Sequence, residues 1–263
     1  MKYGIVAAGR FGDDIEDAFR IASEIGFDGL EIPFIALDYE TELIWSAQGV
    51  ARLRELSAQY NLEMPSCMGG RYNRRGFPDD DPSVREEAIE LMLHLIGRCS
   101  QAGIGRILVA FFGDQALTSD ERIRRAVEAM RVCAPEAESH GVTLALEGTV
   151  DAQAWLRMID EIASPAMGVY YDVGNAVWAG LDGPAELRTL DRAGVLAQIH
   201  IKDMTVDKRN SPLGEGDVDW DAVCDTILDI GYDDYLVLET PSSDNPREDY
   251  ADWLEFIRER TQS

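Results

Sequence analysis

Lysine is almost missing from this chain: Lys2, Lys202 and Lys208 are the only examples among 24 basic residues. Against those 24 stand 49 acidic residues, which gives a formal net charge of −25. Affinity for a nucleic-acid backbone rests on lysine and arginine neutralising phosphates, so this balance excludes a nucleic-acid partner. The acid is spread along every helical segment and is not gathered in a tail. An acid-rich, lysine-poor surface fits a high-salt cytoplasm, where repulsion between like charges is screened. It fits equally a GC-rich genome that favours Arg, Asp and Ala codons.

Cysteine is scarce too. Cys67, Cys99, Cys133 and Cys224 show no C-x-x-C spacing, which excludes a disulfide framework and a structural zinc site and leaves buried, reduced thiols. No apolar run reaches the roughly 18 residues that a membrane-spanning helix needs. The opening Met1-Lys-Tyr-Gly-Ile-Val-Ala-Ala8 passes straight into Gly9 without the apolar core of a signal peptide, so it reads as the first strand of a cytoplasmic protein. Phosphate-binding loops are missing as well, since Gly9 and Gly12 are too sparse for G-x-G-x-x-G and no P-loop occurs.

What is present is an apolar share of 46% over 263 residues, enough to fill the core of one α/β barrel. Apolar strand candidates at 3–8, 29–34, 62–67, 106–112, 142–147, 167–172, 196–202 and 235–240 alternate with helical patterns, the signature of parallel βαβ units. Val84, Ala88, Leu91, Leu95 and Cys99 form one helical stripe, widened by Met92 and Ile96; Ile123, Val127, Met130 and Cys133 form another, which Pro135 is expected to bend. Gly26, Gly103, Gly141 and Gly231 stand at helix-to-strand joints, where a left-handed cap is needed. With no phosphate loop for an open doubly wound sheet, the pattern predicts a single (β/α)8 TIM barrel, one catalytic domain over residues 1–263, with its active site at the carboxyl ends of the strands.

Four strand ends share an unusual chemistry. Leu144-Ala-Leu-Glu147 and Tyr235-Leu-Val-Leu-Glu239 finish on glutamate, Met167-Gly-Val-Tyr-Tyr-Asp172 finishes on aspartate, and Val195-Leu-Ala-Gln-Ile199 leads into His200. An apolar strand gains nothing in folding from such an end. In a closed barrel these are the ends of strands five to eight, neighbours around one rim. Three carboxylates and one imidazole suit a divalent cation: Mn²⁺, Mg²⁺ or Co²⁺, with Zn²⁺ also allowed. Taken singly, each acid could instead cap the following helix. Lys202 lies two residues beyond His200 and so on the same face of its strand. It reads either as a group for a substrate hydroxyl or phosphate, or as a rim lysine paired to a helix acid. His94, inside a helical stripe, and His140, at a helix C-terminus, need no function. Lys208 and Arg209 read first as a solvated loop and second as a phosphate site, Glu215 as structural, Glu31 as a pocket wall, and Trp178 as packing or a pocket wall.

The segments Leu146-Glu-Gly148, Tyr171-Asp-Val-Gly-Asn175, His200-Ile-Lys-Asp203, Pro212-Leu-Gly-Glu-Gly216 with Asp219-Trp220, and Leu238-Glu-Thr240 resemble those of the sugar phosphate isomerase/epimerase family with the xylose-isomerase-like barrel. That family includes ketose 3-epimerases, hydroxypyruvate isomerase and inosose dehydratase. The resemblance covers essentially the whole chain. It implies that Glu147, Asp172, His200 and Glu239 are metal ligands, that Glu147 and Glu239 double as catalytic acid/base residues, and that the ion is Mn²⁺ before the alternatives. The implied partner is a small-molecule carbohydrate, with no membrane and with room for a homo-oligomer. Many epimerases have a substrate-contacting histidine three residues after the aspartate; here Asn175 stands in that place, able to hydrogen-bond a hydroxyl but not to act as an acid. The expected activity is that of an isomerase or epimerase working through an enediolate. An inosose-type dehydratase using the same site, or a sugar-binding barrel without activity, are the alternatives. An endonuclease of the apurinic-site type shares the barrel, but its multi-metal centre needs more than three histidines.

Overall fold

The computed structural model describes residues 1–11 and 14–262, so Gly12 of the Gly9–Gly12 spacing lies outside the described residues. Eight parallel strands close into a barrel: β1 (Lys2–Val6), β2 (Gly29–Pro33), β3 (Cys67–Gly69), β4 (Arg106–Phe111), β5 (Thr143–Gly148), β6 (Met167–Asp172), β7 (Leu196–Ile201) and, after a small hairpin of β8 (Asp203–Met204) and β9 (Asn210–Ser211), β10 (Tyr235–Leu238). The order around the ring is β1-β10-β7-β6-β5-β4-β3-β2. This is the (β/α)8 TIM barrel expected from the alternating pattern. Its strands read as continuous apolar runs because helices cover their outer faces while side chains fill the interior. In β4, for example, Ile107 to Phe111 are all buried.

Helices α1 (Ile15–Ile25), α2 (Ala47–Tyr60), α3 (Pro82–Ala102), α4 (Asp120–His140), α5 (Ala152–Ile162), α6 (Val173–Ala179), α7 (Gly183–Arg192), α8 (Trp220–Asp229) and α9 (Pro246–Thr261) connect or follow the strands. Their starts are chemically marked: Asp81, Ser119, Asp151 and Asp219 each accept a backbone N–H of the first helical turn. Gly26, Gly103, Gly141 and Gly231 do adopt positive φ, at 100°, 84°, 65° and 67°. α4 runs through Pro135, whose ring cannot donate to the preceding turn, and continues to His140. The four cysteines are free and buried.

One strand departs from expectation. The apolar pattern places strand three at 62–67, whereas β3 begins at Cys67. The earlier stretch makes a single bridge, Gly29 with Glu63, and the ladder with β2 resumes only at Ile32 with Cys67. Pro65 lies between them and has no N–H to donate, so continuous pairing is interrupted there.

Contacts group the chain into two compact units. One comprises Met1–Glu31, Leu56–Pro65 and Tyr171–Ser263; the other comprises Ile32–Glu55 and Ser66–Tyr170. The second is rich in packed rings. Trp45 lies over His94 at 4.0 Å between centroids, Tyr72 stacks on Phe77 at 4.7 Å, and Phe111 meets both Phe77 and Trp155. Each such ring removes on the order of 150–250 Å² from water, which makes this cluster a large share of its unit's core. In the first unit Phe11 packs edge-on against Tyr250, Trp220 does the same with Phe256, and the Tyr3 hydroxyl is 2.9 Å from Thr261 Oγ1.

Candidate metal centre and active site

Strand period and register align His200 with Glu239. On β7, side chains alternate, so Gln198, His200 and Lys202 share a face. His200 is in register with Val237 of β10, and Glu239 lies two residues beyond Val237, on the same face as it. The Glu239 N–H still donates to Ile201 O at 2.9 Å, which holds it in line just past the strand. On β5, Glu147 is in register with Ala110.

One ligand atom from each of Glu147, Asp172, His200 and Glu239 lies within 4.8 Å of the others. His200 Nδ1 is 3.4 Å from Glu239 Oε2 and 4.0 Å from Asp172 Oδ2. Its other nitrogen, Nε2, is 3.1 Å from Glu31 Oε1, and neither the His200 nor the Glu31 side chain is exposed at all. Lys202 Nζ stands 3.1 Å from Glu239 Oε2 and 3.5 Å from Asp172 Oδ2. Asp172 serves two purposes. Its Oδ1 accepts the Asn175 N–H at 2.8 Å and so caps α6, while Oδ2 faces Lys202 and His200. The helix-cap reading of a strand-end acid therefore holds for this residue, and its second oxygen is left facing the cluster.

Burial would push the Glu239 carboxyl up, but Lys202, His200 in its protonated form and Arg10 attract the charged form, and a hydrogen bond from Lys202 adds to this; with these partners the carboxyl is held at about 2. Arg10 is fixed by donating from Nε and a terminal nitrogen to Thr240 O at 3.1 and 2.7 Å, and it also donates to Ala8 O. The concentration of carboxylate on the other residues makes the site a receptor for positive charge. Three carboxylate oxygens and one imidazole nitrogen gathered within 4.8 Å of one another are a donor set whose chemistry fits a divalent cation.

The family description "Xylose isomerase-like TIM barrel" matches residues 19–260. The chain belongs to the xylose-isomerase-like TIM-barrel family. It is 30% identical over 234 residues to SgbU of Escherichia coli (strain K12), provisionally named an L-ribulose-5-phosphate 3-epimerase, covering 83% of this chain and 81% of that one. It is 28% identical over 204 residues to the 2-epi-5-epi-valiolone 7-phosphate 2-epimerase of Actinoplanes sp. (strain ATCC 31044 / CBS 674.73 / SE50/110), covering 76% and 73%. Among solved structures, the D-psicose 3-epimerase of Clostridium cellulolyticum H10 with D-tagatose superimposes with a TM-score of 0.81 at 18% identity over 100% of both chains, a likeness of fold.

Within this family barrel, the remaining sequence candidates separate clearly. Asn175 is buried at the start of α6, and Lys202 pairs with the strand-end acids Glu239 and Asp172. His94 packs on Trp45 and accepts from Arg98 Nε at 3.1 Å, and His140 lies beside Glu136 at the end of α4, so both serve packing and capping. Lys208 and Arg209 are exposed in the turn between β8 and β9, with Lys208 Nζ 5.0 Å from the Trp178 ring centroid; Glu215 is exposed too.

Three residues had no assigned part, or a lesser one, in the sequence reading. Arg10 adds positive charge near Glu239, and nothing local to its sequence marks it. Glu31 does more than form a wall, since it meets His200; a carboxylate inside Leu30-Glu-Ile32 was the available signal. Asp203 is fully buried. Its Oδ2 accepts from the N–H groups of Gly214 and Gly216 at 2.8 and 3.1 Å and from Trp220 Nε1 at 2.9 Å, while Oδ1 accepts from Val218 N–H at 3.3 Å. Gly216 approaches Asp203 so closely that a Cβ there would have no room. The shared Asp203 and Gly-Glu-Gly segments thus form one device that shapes the loop after β7.

Proposed function

We propose that this chain is a divalent-metal-dependent sugar isomerase/epimerase acting, as one catalytic domain, on a ketose or small hydroxy-carbonyl compound, free or phosphorylated, through an enediolate. The observation that carries the reading is the cluster of one imidazole and three carboxylates with ligand atoms within 4.8 Å, in a barrel whose relatives are named epimerases. Glu147, Asp172, His200 and Glu239 would hold the ion, Mn²⁺ first among Mn²⁺, Mg²⁺, Co²⁺ and Zn²⁺. When bound, such an ion supplies Lewis-acid polarisation of substrate oxygens.

The protein's own residues do the rest. Glu239, held at about 2, is a carboxylate at neutral pH and enters the reaction able to accept a proton. Glu147, facing the opposite side of the substrate, returns a proton to the other face, which inverts the carbon; the roles exchange for the reverse direction. Lys202 supplies a donor for a substrate hydroxyl or phosphate oxygen, and Asn175 hydrogen-bonds a hydroxyl without exchanging a proton.

The test is turnover in D₂O with a panel of ketoses and ketose phosphates, after chelation and again after Mn²⁺, Mg²⁺ or Co²⁺ is restored. Activity that disappears with chelation and returns with metal, with one deuterium at the inverted carbon, is the expected result. Full activity in protein shown by elemental analysis to hold no metal would remove the metal-dependent reading. Loss of water from an inosose instead of inversion would replace the epimerase by a lyase.

A further inference from the structure

Glu31 sits in the middle of β2, between Leu30 and Ile32, and is wholly buried with them. Taking a carboxylate out of water costs several kcal/mol unless a partner compensates it. One partner is 169 residues away in sequence: His200 Nε2, at 3.1 Å. The imidazole has two distinct nitrogens, and the one that carries a proton leaves the other with its lone pair. A carboxylate can only accept. Glu31 therefore fixes the Nε2 proton in place, and Nδ1 is the nitrogen turned toward Glu239 Oε2 at 3.4 Å and Asp172 Oδ2 at 4.0 Å.

We propose that Glu31 is a positioning residue that selects the His200 tautomer and ring orientation in which the Nδ1 lone pair faces the carboxylate cluster. The inference rests on the reading of His200 as a ligand, and it adds a residue outside the four proposed ligands. Without Glu31 the Nε2 proton loses this acceptor, and in neutral His200 a proton on Nδ1, donated to Glu239 or Asp172, is favoured instead. The imidazole would then satisfy the carboxylates in place of a cation. A carboxylate behind a ligating histidine holds the ring in place and increases its basicity, and losing such a partner typically lowers metal affinity about 10–100-fold.

Three variants test this. Glu31→Gln keeps an acceptor oxygen at the same reach, Glu31→Ala removes it, and Glu31→Leu removes it while filling the volume, which serves if the alanine variant leaves a cavity too large to fold. The first measurement is the imidazole ¹H–¹⁵N correlation of His200 in metal-free protein above neutral pH. Wild type and Glu31→Gln are expected to show a proton on Nε2 that exchanges slowly with water; Glu31→Ala or Glu31→Leu is expected to lose it and shift the proton to Nδ1. The second is the Mn²⁺ dissociation constant by calorimetry, expected to rise about 10–100-fold in Glu31→Ala or Glu31→Leu and to return to within a few-fold of wild type in Glu31→Gln. A Nδ1 proton in the wild type, or an unchanged His200 spectrum in folded Glu31→Ala or Glu31→Leu, would overturn the assignment and leave the metal site standing. Wild-type protein that shows the Nε2 proton but takes up no Mn²⁺ would overturn the metal reading and leave Glu31 as the residue that orients His200.

Discussion

Strands β3 and β4 end on Gly69 and Phe111, whereas β6 ends on Asp172, β7 leads through His200 into Lys202, and β10 leads into Glu239. In the unit of Ile32–Glu55 and Ser66–Tyr170, rings at and near the strand ends are directed into packing: Phe111 against Phe77 and Trp155, Phe77 against Tyr72. Glu147, on β5 of the same unit, belongs to the carboxylate cluster, but the unit's buried arginine is tied to a loop and a helix. Arg71, almost unexposed, donates to Leu37 O at 2.7 Å and pairs with Glu87 at 2.6 Å. In the unit that includes Tyr171–Ser263 the same kind of position carries acid and imidazole, each with a specific partner. The lesson is that strand ends of equal geometry serve either burial or chemistry, and the two uses respond to different perturbations.

The largest effect expected is on catalysis. Glu147→Gln and Glu239→Gln each retain an oxygen for the metal and lose the base, so each should lower the inversion rate by about 10²–10⁴-fold with metal content preserved. One of the two should still exchange the substrate proton with D₂O, because the remaining glutamate can remove and return it on one face. Product formed without deuterium would sink the two-base reading.

A paired experiment separates the two uses of strand ends. His200→Ala should lose most Mn²⁺ binding by calorimetry while its thermal midpoint in chelator changes little. Phe77→Ala should do the reverse, losing about 3–5 kcal/mol of stability, with Mn²⁺ affinity unchanged. Global unfolding of His200→Ala would show that the histidine is structural and erase the contrast.

A smaller effect concerns acid. The Glu239 carboxyl lies at about 2 in the fold against its ordinary 4.5. A depressed carboxylate stabilises the fold above the ordinary value, and that stabilisation is lost as pH falls from about 4.5 through about 2. Lys202→Met removes the strongest single attraction and should raise the Glu239 carboxyl, so metal-free variant protein should unfold at a higher pH than wild type in an acid titration followed by circular dichroism. An unchanged acid midpoint would show that the lysine pair adds no stability.

The smallest effect should come from the surface, away from both regions. With 49 acidic residues, the thermal midpoint should rise between dilute buffer and molar KCl as repulsion is screened. A flat response would favour codon bias as the origin of the acidity.

Much of the fold was legible because its signals are local and periodic. The alternation of apolar runs with stripes such as Val84, Ala88, Leu91 and Leu95 needs only neighbouring residues to be recognised, and Gly26, Gly103, Gly141 and Gly231 announce their joints by needing positive φ. The strand-end carboxylates were legible for the same reason: each is an acid closing an apolar run. Pro65 is visible in the sequence, but apolar periodicity alone does not register a missing donor, so the pattern sets the third strand earlier than β3 begins.

By itself the sequence determined the alternating elements, the acidic surface and the polar strand ends, since each follows from the period of side chains along a strand or helix. Only the tertiary structure decided that Glu31 meets His200, that Lys202 pairs with Asp172 and Glu239, and that Asp203 holds Gly214, Gly216 and Trp220. The physical reason is that a buried charge takes its meaning from the partner that compensates it, and for Glu31 that partner is brought within reach by strand pairing across 169 residues of chain.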